Sequence, residues 1–243
     1  MTYVLVGAVG FLFGLGAHDL ALQALDDDTR LRPLDGVCRT CGHNRGWLRW
    51  RCQVCRTLVA REPVVALLTA GVAAGFLNTI GWTWPLVAYL GFLLLTVALT
   101  ITDLEAFRIV DRLNLAGTVI VALLLTGATA ITGDWFDLLR GLGGAGAYFA
   151  GSLLLFMVVR GQGFGAGDVK LSVQLGLFTA YLGWSVLGWA VFATAVIGGV
   201  IALFLMVAGA ANRKTELPYG PPMILGAWTA IVLVGVGAIP IPS

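Results

Sequence analysis

The feature that most constrains this chain is a series of apolar runs, each about as long as a helix must be to cross a lipid bilayer. A bilayer core about 30 Å thick takes roughly 20 apolar residues to cross as a helix. Of the 243 residues, 58% are hydrophobic and only 12% are charged. A soluble core cannot account for so much apolar sequence, so we expect most of it to face lipid.

Eight such runs predict eight transmembrane helices. They span residues 2–24, 64–81, 84–102, 113–132, 138–159, 169–182, 185–211 and 223–239. The runs are continuously apolar, whereas a strand of a membrane barrel alternates apolar and polar residues over about 10 positions. A glycine-rich stretch at residues 141–151 suits close contact between helices. The sequence therefore predicts an all-α membrane protein.

The positions of the 15 Lys and Arg residues predict how these helices are oriented, because short loops rich in such residues stay in the cytoplasm. Eight arginines fall in the segment between the first two runs. The later cations on the same side are Arg108, Arg112, Arg160, Lys170, Arg213 and Lys214. Only Arg140 falls on the opposite side. Eight helices with both termini outside the cytoplasm therefore place 14 of the 15 cations on the cytoplasmic side.

The one sizeable polar segment, residues 25–63, contains all four cysteines. They form two C-x-x-C pairs separated by ten residues, Cys38 with Cys41 and Cys52 with Cys55. Two such pairs supply four thiolates at the spacing that tetrahedral zinc requires. Two disulfides or four free thiols are the alternatives, although the reducing cytoplasm disfavours disulfides.

We therefore predict a small cytoplasmic zinc-binding module at residues 26–63. It lies between a first transmembrane helix at residues 1–25 and a seven-helix membrane domain at residues 64–243. The module has few apolar residues, so the metal is expected to provide its folding free energy. Four thiolates leave no open position for water, which gives the zinc a structural role.

Two aspartates stand at ends of predicted helices on the cytoplasmic side. Asp103 directly follows the third run, and Asp168 opens the sixth helix after a glycine-rich segment. If those helices pack together, the two carboxylates can share a proton, because both cannot ionise easily. Such a pair can activate water and protonate the leaving group in peptide hydrolysis. The simpler alternative is that both acids are solvated helix ends.

Other residues near the two aspartates have open roles. Gly165 and Gly167 leave room beside Asp168 for a substrate backbone, and allow angles closed to other residues. Lys170 either holds Asp168 ionised or anchors its helix at the membrane surface. Asp111 either supports the site or faces water.

The ordered motifs of this chain resemble those of bacterial prepilin peptidases, the type IV leader peptidases among the G-x-G-D intramembrane aspartyl proteases. Residues 165–168 read G-A-G-D, and Asp103 lies in T-D-L-E. Residues 109–111, I-V-D, resemble an I-P-D element, and residues 218–221, P-Y-G-P, resemble a late P-F/Y-G-P element. The paired C-x-x-C motifs stand in family order as well.

The resemblance implies cleavage of short basic leaders from type IV prepilins or pseudopilins at the cytoplasmic face of the bacterial inner membrane. Asp103 and Asp168 would be catalytic. From their positions beside these acids, we expect Gly165, Gly167, Lys170 and Asp111 to support the site. Many members also methylate the new N-terminus with S-adenosylmethionine. Their N-terminal G-S-F-x-N-V element has no clear counterpart here, so methylation is left open. The expected partners are these precursors and lipid, with no nucleic acid.

Two further functions compete with proteolysis. An ion-coupled transporter could use Asp103 and Asp168 as a relay, since acids between membrane helices often do so. Transport sites usually lie near the bilayer midplane, whereas these acids are predicted at one face. A noncatalytic membrane scaffold, docking partners through the cysteine module, is the other alternative.

Overall fold

The computed structural model describes residues 1–25, 61–106, 109–159, 164–208 and 218–239. Within these ranges the chain forms helices and no strand, which confirms the all-α prediction. The helices are α1 Thr2–Leu25, α2 Arg61–Ile80, α3 Pro85–Ala106, α4 Asp111–Thr132, α5 Trp135–Val158, α6 Ala166–Leu182, α7 Trp184–Val207 and α8 Gly220–Gly235. Their bounds differ from the predicted ones by at most four residues.

Five of the described helices are long and apolar enough to cross a membrane, namely α2, α3, α4, α5 and α7. Shorter apolar helices occur at Thr2–Ala17 and Gly220–Gly235. In the α3 span 72% of residues are buried by other helices, compared with 11% in the α7 span. α3 therefore lies inside the bundle, and α7 is covered by little of the described protein.

An aromatic cluster joins α3 to α6 at the centre of the bundle. Phe92 and Phe178 stack with ring centroids 4.4 Å apart, and Tyr89 contacts Phe178 edge-on. The Tyr89 hydroxyl also donates a hydrogen bond of 2.7 Å to the Phe178 carbonyl. All three side chains are fully buried. These side-chain contacts connect α3 to α6, the two helices that contain Asp103 and Asp168.

Glycines allow α5 and α6 to approach closely. A Cβ atom at Gly141 would lie 2.9 Å from the Leu177 carbonyl oxygen, and one at Gly176 would lie 2.5 Å from the Gly144 carbonyl oxygen. Larger residues could not occupy these positions without separating the helices. The expectation of close contact in the stretch 141–151 is thus confirmed for its first half. Gly146 and Gly151 face open space.

Arg140, the exception to the predicted charge distribution, binds the C-terminal end of α6. Its Nε donates to the Ala180 carbonyl at 2.8 Å, and a terminal nitrogen donates to the Tyr181 carbonyl. Asp137 pairs with the same guanidinium at 2.9 Å. A cation at this end satisfies orphan carbonyls and complements the helix dipole. Its position therefore has a structural reason.

Candidate active site

One cavity brings the two predicted catalytic aspartates together. It has a volume of about 370 Å³ and lies where α3 ends and α4, α6 and α8 begin. Its lining comprises Asp103, Ile109, Asp111, Gly165, Ala166, Gly167, Asp168 and Lys170. All of the predicted catalytic and supporting residues outside the cysteine module thus line this cavity.

Asp168 is held by the start of its own helix. α6 begins two residues earlier, at Ala166, so the aspartate lies inside the first turn. Its Oδ2 accepts a hydrogen bond of 2.8 Å from the Gly165 N–H. The side chain is buried at 6% relative exposure. An acid in the first turn is stabilised by the helix dipole, which partly offsets the cost of burying it.

Asp103 lies in the last turn of α3, which continues to Ala106 instead of ending at the aspartate. It is buried at 5% relative exposure, and its Oδ2 has no hydrogen-bond partner of normal geometry among the described residues. Gly220, the first residue of α8, lies directly against this oxygen. A buried carboxylate oxygen without a hydrogen bond of normal geometry costs free energy, so its retention here requires an explanation.

The glycines of the site provide room rather than unusual backbone angles. Gly165 has φ −87° and ψ 158°, which any residue can adopt. A Cβ atom there would lie 3.3 Å from Asp168 Oδ2, and one at Gly167 would lie 3.0 Å from the Cβ of Ile109. The expectation of angles closed to other residues is therefore wrong for Gly165. The Asp168 carboxylate therefore lies against Gly165, and Ile109 lies against Gly167.

Val110 stands where the resembling motif has proline. It is the N-cap of α4, with φ −72° and ψ 112°. Proline fixes φ near −65°, so valine here keeps the backbone geometry that proline would impose. Ile109, the residue before Val110, lines the cavity although the motif's proline is absent.

The Lys170 ammonium pairs with Asp111 at the mouth of the cavity. The Nζ to Oδ2 distance is 2.7 Å, and both side chains are more than half exposed. The lysine thus neutralises Asp111 at the rim and links the starts of α4 and α6. An exposed pair of this kind contributes about 0–1 kcal/mol to stability.

Sequence reasoning missed an aromatic pair beside the aspartates. Phe164 and Tyr219 meet edge-on with ring centroids 5.3 Å apart, and each immediately precedes a glycine that contacts one of the two aspartates. Burial raises the pKa of the Tyr219 hydroxyl above its usual value, and the nearby Asp168 raises that pKa further. The hydroxyl is therefore a neutral donor. The tyrosine belongs to the late P-Y-G-P element, but no local pattern indicates that Phe164 contacts it.

The cysteines of the predicted zinc module lie outside the described residues. Cys38, Cys41, Cys52 and Cys55 all fall in the range 26–60. Within the described part of the chain, no group of three or more His, Cys, Asp or Glu residues could hold a metal ion.

Comparisons with known proteins agree on one family. A sequence profile of the type IV leader peptidase family matches residues 88–203, which include both aspartates. The prepilin leader peptidase/N-methyltransferase of Aeromonas hydrophila is 31% identical over 76% of this chain and 63% of the relative. That of Burkholderia pseudomallei is 33% identical over 78% of this chain and 64% of the relative.

The protein of the same name from Neisseria gonorrhoeae is 30% identical over 86% of this chain and 76% of the relative. The chain spans about 63% of the length of the first relatives it matches. No solved structure matches it. The similarity extends across most of the chain and includes the helices that carry the cavity. This chain is an integral membrane protein that belongs to the type IV leader peptidase family.

Proposed function

We propose that this protein is an aspartyl endopeptidase that removes the short basic leader from type IV prepilins or pseudopilins. The observation that carries the proposal is the pair of buried carboxylates, Asp103 and Asp168, which come from separate helices and line one cavity. Family membership and the names of the relatives support the substrate class.

The chemistry follows from the proximity of the two acids. Two negative charges in one buried cavity are unfavourable, so one proton is shared between the carboxylates. The ionised member accepts a proton from water as the water oxygen attacks the scissile carbonyl carbon. The protonated member donates to the carbonyl oxygen, and a proton then passes to the leaving nitrogen as the C–N bond breaks. The shared proton belongs to the pair, so neither role is assigned to one aspartate.

The remaining cavity residues would position the substrate and the acids. Gly165 and Gly167 leave space for an extended substrate backbone beside Asp168. The pair of Asp111 and Lys170 holds two helix starts together at the rim. The N-termini of α6 and α8 both adjoin a catalytic carboxylate, and their dipoles favour the negative charge that the ionised member carries.

The proposal places the protein in the bacterial inner membrane with the cavity facing the cytoplasm and lipid around the helices. The described cations support this orientation, since Arg112 and Lys170 lie at helix starts beside the cavity and Arg140 lies at the opposite end. Labelling from outside intact cells should miss Cys38, Cys41, Cys52 and Cys55 but reach a cysteine introduced by Ser243→Cys. Labelling of the four native cysteines without permeabilisation would contradict the orientation.

The proposal includes a structural zinc ion, and it includes S-adenosylmethionine only under one condition. The donor set of four cysteine thiolates suits one structural zinc in the module at residues 26–63, which precedes the membrane domain. Elemental analysis of purified protein should find one zinc per chain, and metal-free protein with reduced thiols would contradict it. S-adenosylmethionine is a cofactor only if methyl transfer is retained, which transfer of a labelled methyl group to processed pilin would decide.

The central test replaces each aspartate with asparagine. Asp103→Asn and Asp168→Asn should each abolish cleavage of a tagged prepilin, because an amide cannot supply the acid–base function of a carboxylate. Asparagine nearly keeps the shape of the side chain, so expression and membrane insertion should be normal. The measurement is the ratio of mature to precursor pilin on a gel at matched protein levels.

Two other acids provide controls for that test. Asp111→Asn should reduce cleavage only mildly, since Asp111 lies at the exposed rim. Asp134→Asn should have no effect, because Asp134 lies exposed at the opposite end of the bundle, beside the start of α5. Cleavage near the wild-type rate by either Asp103→Asn or Asp168→Asn would reject the paired-aspartate mechanism and favour the transporter or scaffold alternative.

A further inference from the structure

A second cavity adjoins the catalytic one and has a different chemical character. It is a groove of about 420 Å³ between α5 and α7, with the start of α8 at one end. Its lining is mostly apolar and includes Tyr148, Gly151, Leu155, Val191, Ala195 and Met223. α5 and α7 hardly contact each other, so the groove lies between two separated walls.

The aromatic pair of Phe164 and Tyr219 lies between the two cavities. Both rings line the groove, and the residues that follow them, Gly165 and Gly220, lie against Asp168 and Asp103 respectively. Successive Cα atoms are about 3.8 Å apart, so the groove begins within one or two residues of the carboxylates. A polypeptide bound across the aspartates would therefore pass this pair and continue into the groove.

We infer that the groove between α5 and α7 is the subsite for an apolar stretch of the substrate polypeptide next to the scissile bond. The inference rests on the proposed peptidase function and adds to it. The catalytic cavity contains four charged side chains, whereas the groove has none among its lining residues. The site thus recognises a chain that changes from polar to apolar at the bond to be cut. Because the proposed leader is basic, the apolar stretch is on the side after the bond.

The position and length of the groove favour a polypeptide that arrives through the membrane. From Leu187 to Ala195 the groove follows α7 for about 12 Å, at a rise of 1.5 Å per residue. About two turns of an apolar helix span that distance. Since α7 is covered by little of the described protein, such a helix can enter from the side while its polar end reaches the carboxylates.

Two glycines of α5 provide a matched test. A Cβ atom would meet nothing within 4 Å at either Gly151, which lines the groove, or Gly146, which does not. Gly151→Leu should raise KM for a full-length tagged prepilin about tenfold or more, because loss of room for one or more methylenes in an apolar pocket has an effect of that size. It should leave kcat nearly unchanged. Gly146→Leu should leave both constants unchanged.

A cross-linking experiment provides a second measurement that does not depend on the leucine variants. A photoreactive benzophenone side chain is placed at Val191, in the groove, or at Val200, farther along α7 and outside it. Each is combined with Asp168→Asn so that the precursor is not consumed. Val191 should cross-link to residues after the scissile bond of the precursor, as mapped by mass spectrometry, and Val200 should not.

The outcomes separate this inference from the proposed function. If wild-type protein fails to cleave prepilin, the proposed function falls and the groove assignment falls with it. If the wild type cleaves but Gly151→Leu has a normal KM and Val191 cross-links only to lipid, the groove holds lipid and this inference alone is overturned. Equal rises in KM for Gly151→Leu and Gly146→Leu would also overturn it.

Discussion

At the scale of single residues, the candidate site depends on glycines, because a side chain at these positions would collide with the two carboxylates or their neighbours. A methyl group at Gly220 would lie 2.7 Å from Asp103 Oδ2 and 3.4 Å from the Cδ1 of Ile109. Contacts under 3 Å force one partner to move, and the partner here is an oxygen of a proposed catalytic carboxylate. Gly220 therefore sets the position of Asp103, although 117 residues separate them in the sequence. No local pattern could have indicated this contact.

Alanine at Gly220 is expected to inactivate the enzyme without unfolding it. Displacing a catalytic group by about 1 Å can lower the rate about 100-fold, and we expect a loss of that order in kcat for Gly220→Ala. Gly165→Ala should cause a smaller loss, because its Cβ atom would lie 3.3 Å from Asp168 Oδ2. Prepilin cleavage at saturating substrate measures both.

The control for this series is Gly199→Ala in α7, where a Cβ atom would meet nothing within 4 Å. It should retain wild-type kcat. A Gly220→Ala protein as active as this control would show that Asp103 is not held in place by the start of α8.

At the scale of helices, hydropathy located each element but misplaced both ends of α8. α8 was predicted at 223–239 and runs from Gly220 to Gly235. Its first turn contains Pro221 and Pro222, which are tolerated there because the first amides of a helix need no acceptor within it. Its end is set by Gly237, whose φ of 73° suits glycine, and apolar residues beyond Gly235 are therefore not helical. Apolar content alone cannot indicate either effect.

A buried amide pair links α4 to α6 one turn below the exposed ion pair of the rim. Gln174 donates to the Asn114 side-chain oxygen at 3.0 Å, and both side chains are nearly inaccessible. Asp111 and Lys170 stand about one turn earlier on the same two helices. The helix that carries Asp168 is thus tied to α4 at two levels. The sequence offered Lys170 and Asp111 as candidates but did not indicate the buried pair.

The buried pair should matter more for stability than the exposed one. Gln174→Leu leaves the Asn114 amide buried without its donor, which costs about 1–3 kcal/mol. The double change Asn114→Leu with Gln174→Leu should cost less than the sum of the two single changes, with a coupling of about 0.6–1.7 kcal/mol. Thermal unfolding in detergent measures these differences.

The exposed pair is the internal control for that experiment. Asp111→Asn should lower stability by less than about 1 kcal/mol, since exposed ion pairs are weak. Additive effects of the two leucine changes would contradict a direct interaction between Asn114 and Gln174.

At the scale of the whole molecule, apolar residues predicted the helices, and charged residues predicted the candidate site. The lengths of the apolar runs follow from the thickness of the bilayer, so the order and number of described helices could be predicted. Asp103 and Asp168 could be nominated because acids are rare in such runs. Their shared cavity could not be derived, because its lining comes from separate helices and depends on how those helices pack together. Side-chain packing between helices leaves little trace in hydropathy.

The contact of Arg140 with the end of α6 has a consequence for how the protein is made. α5 is synthesised before α6, so in the proposed orientation its guanidinium must first cross the bilayer without the Ala180 and Tyr181 carbonyls that it later binds. Arg140 lies near the start of α5, so only its passage through the middle of the bilayer has a cost that approaches the roughly 2.5–3.5 kcal/mol of an arginine at a helix centre. α5 and α6 also share the most extensive interface between described helices. We therefore expect the translocon to release these two helices together, as one hairpin whose newly formed contacts retain the arginine on the far side.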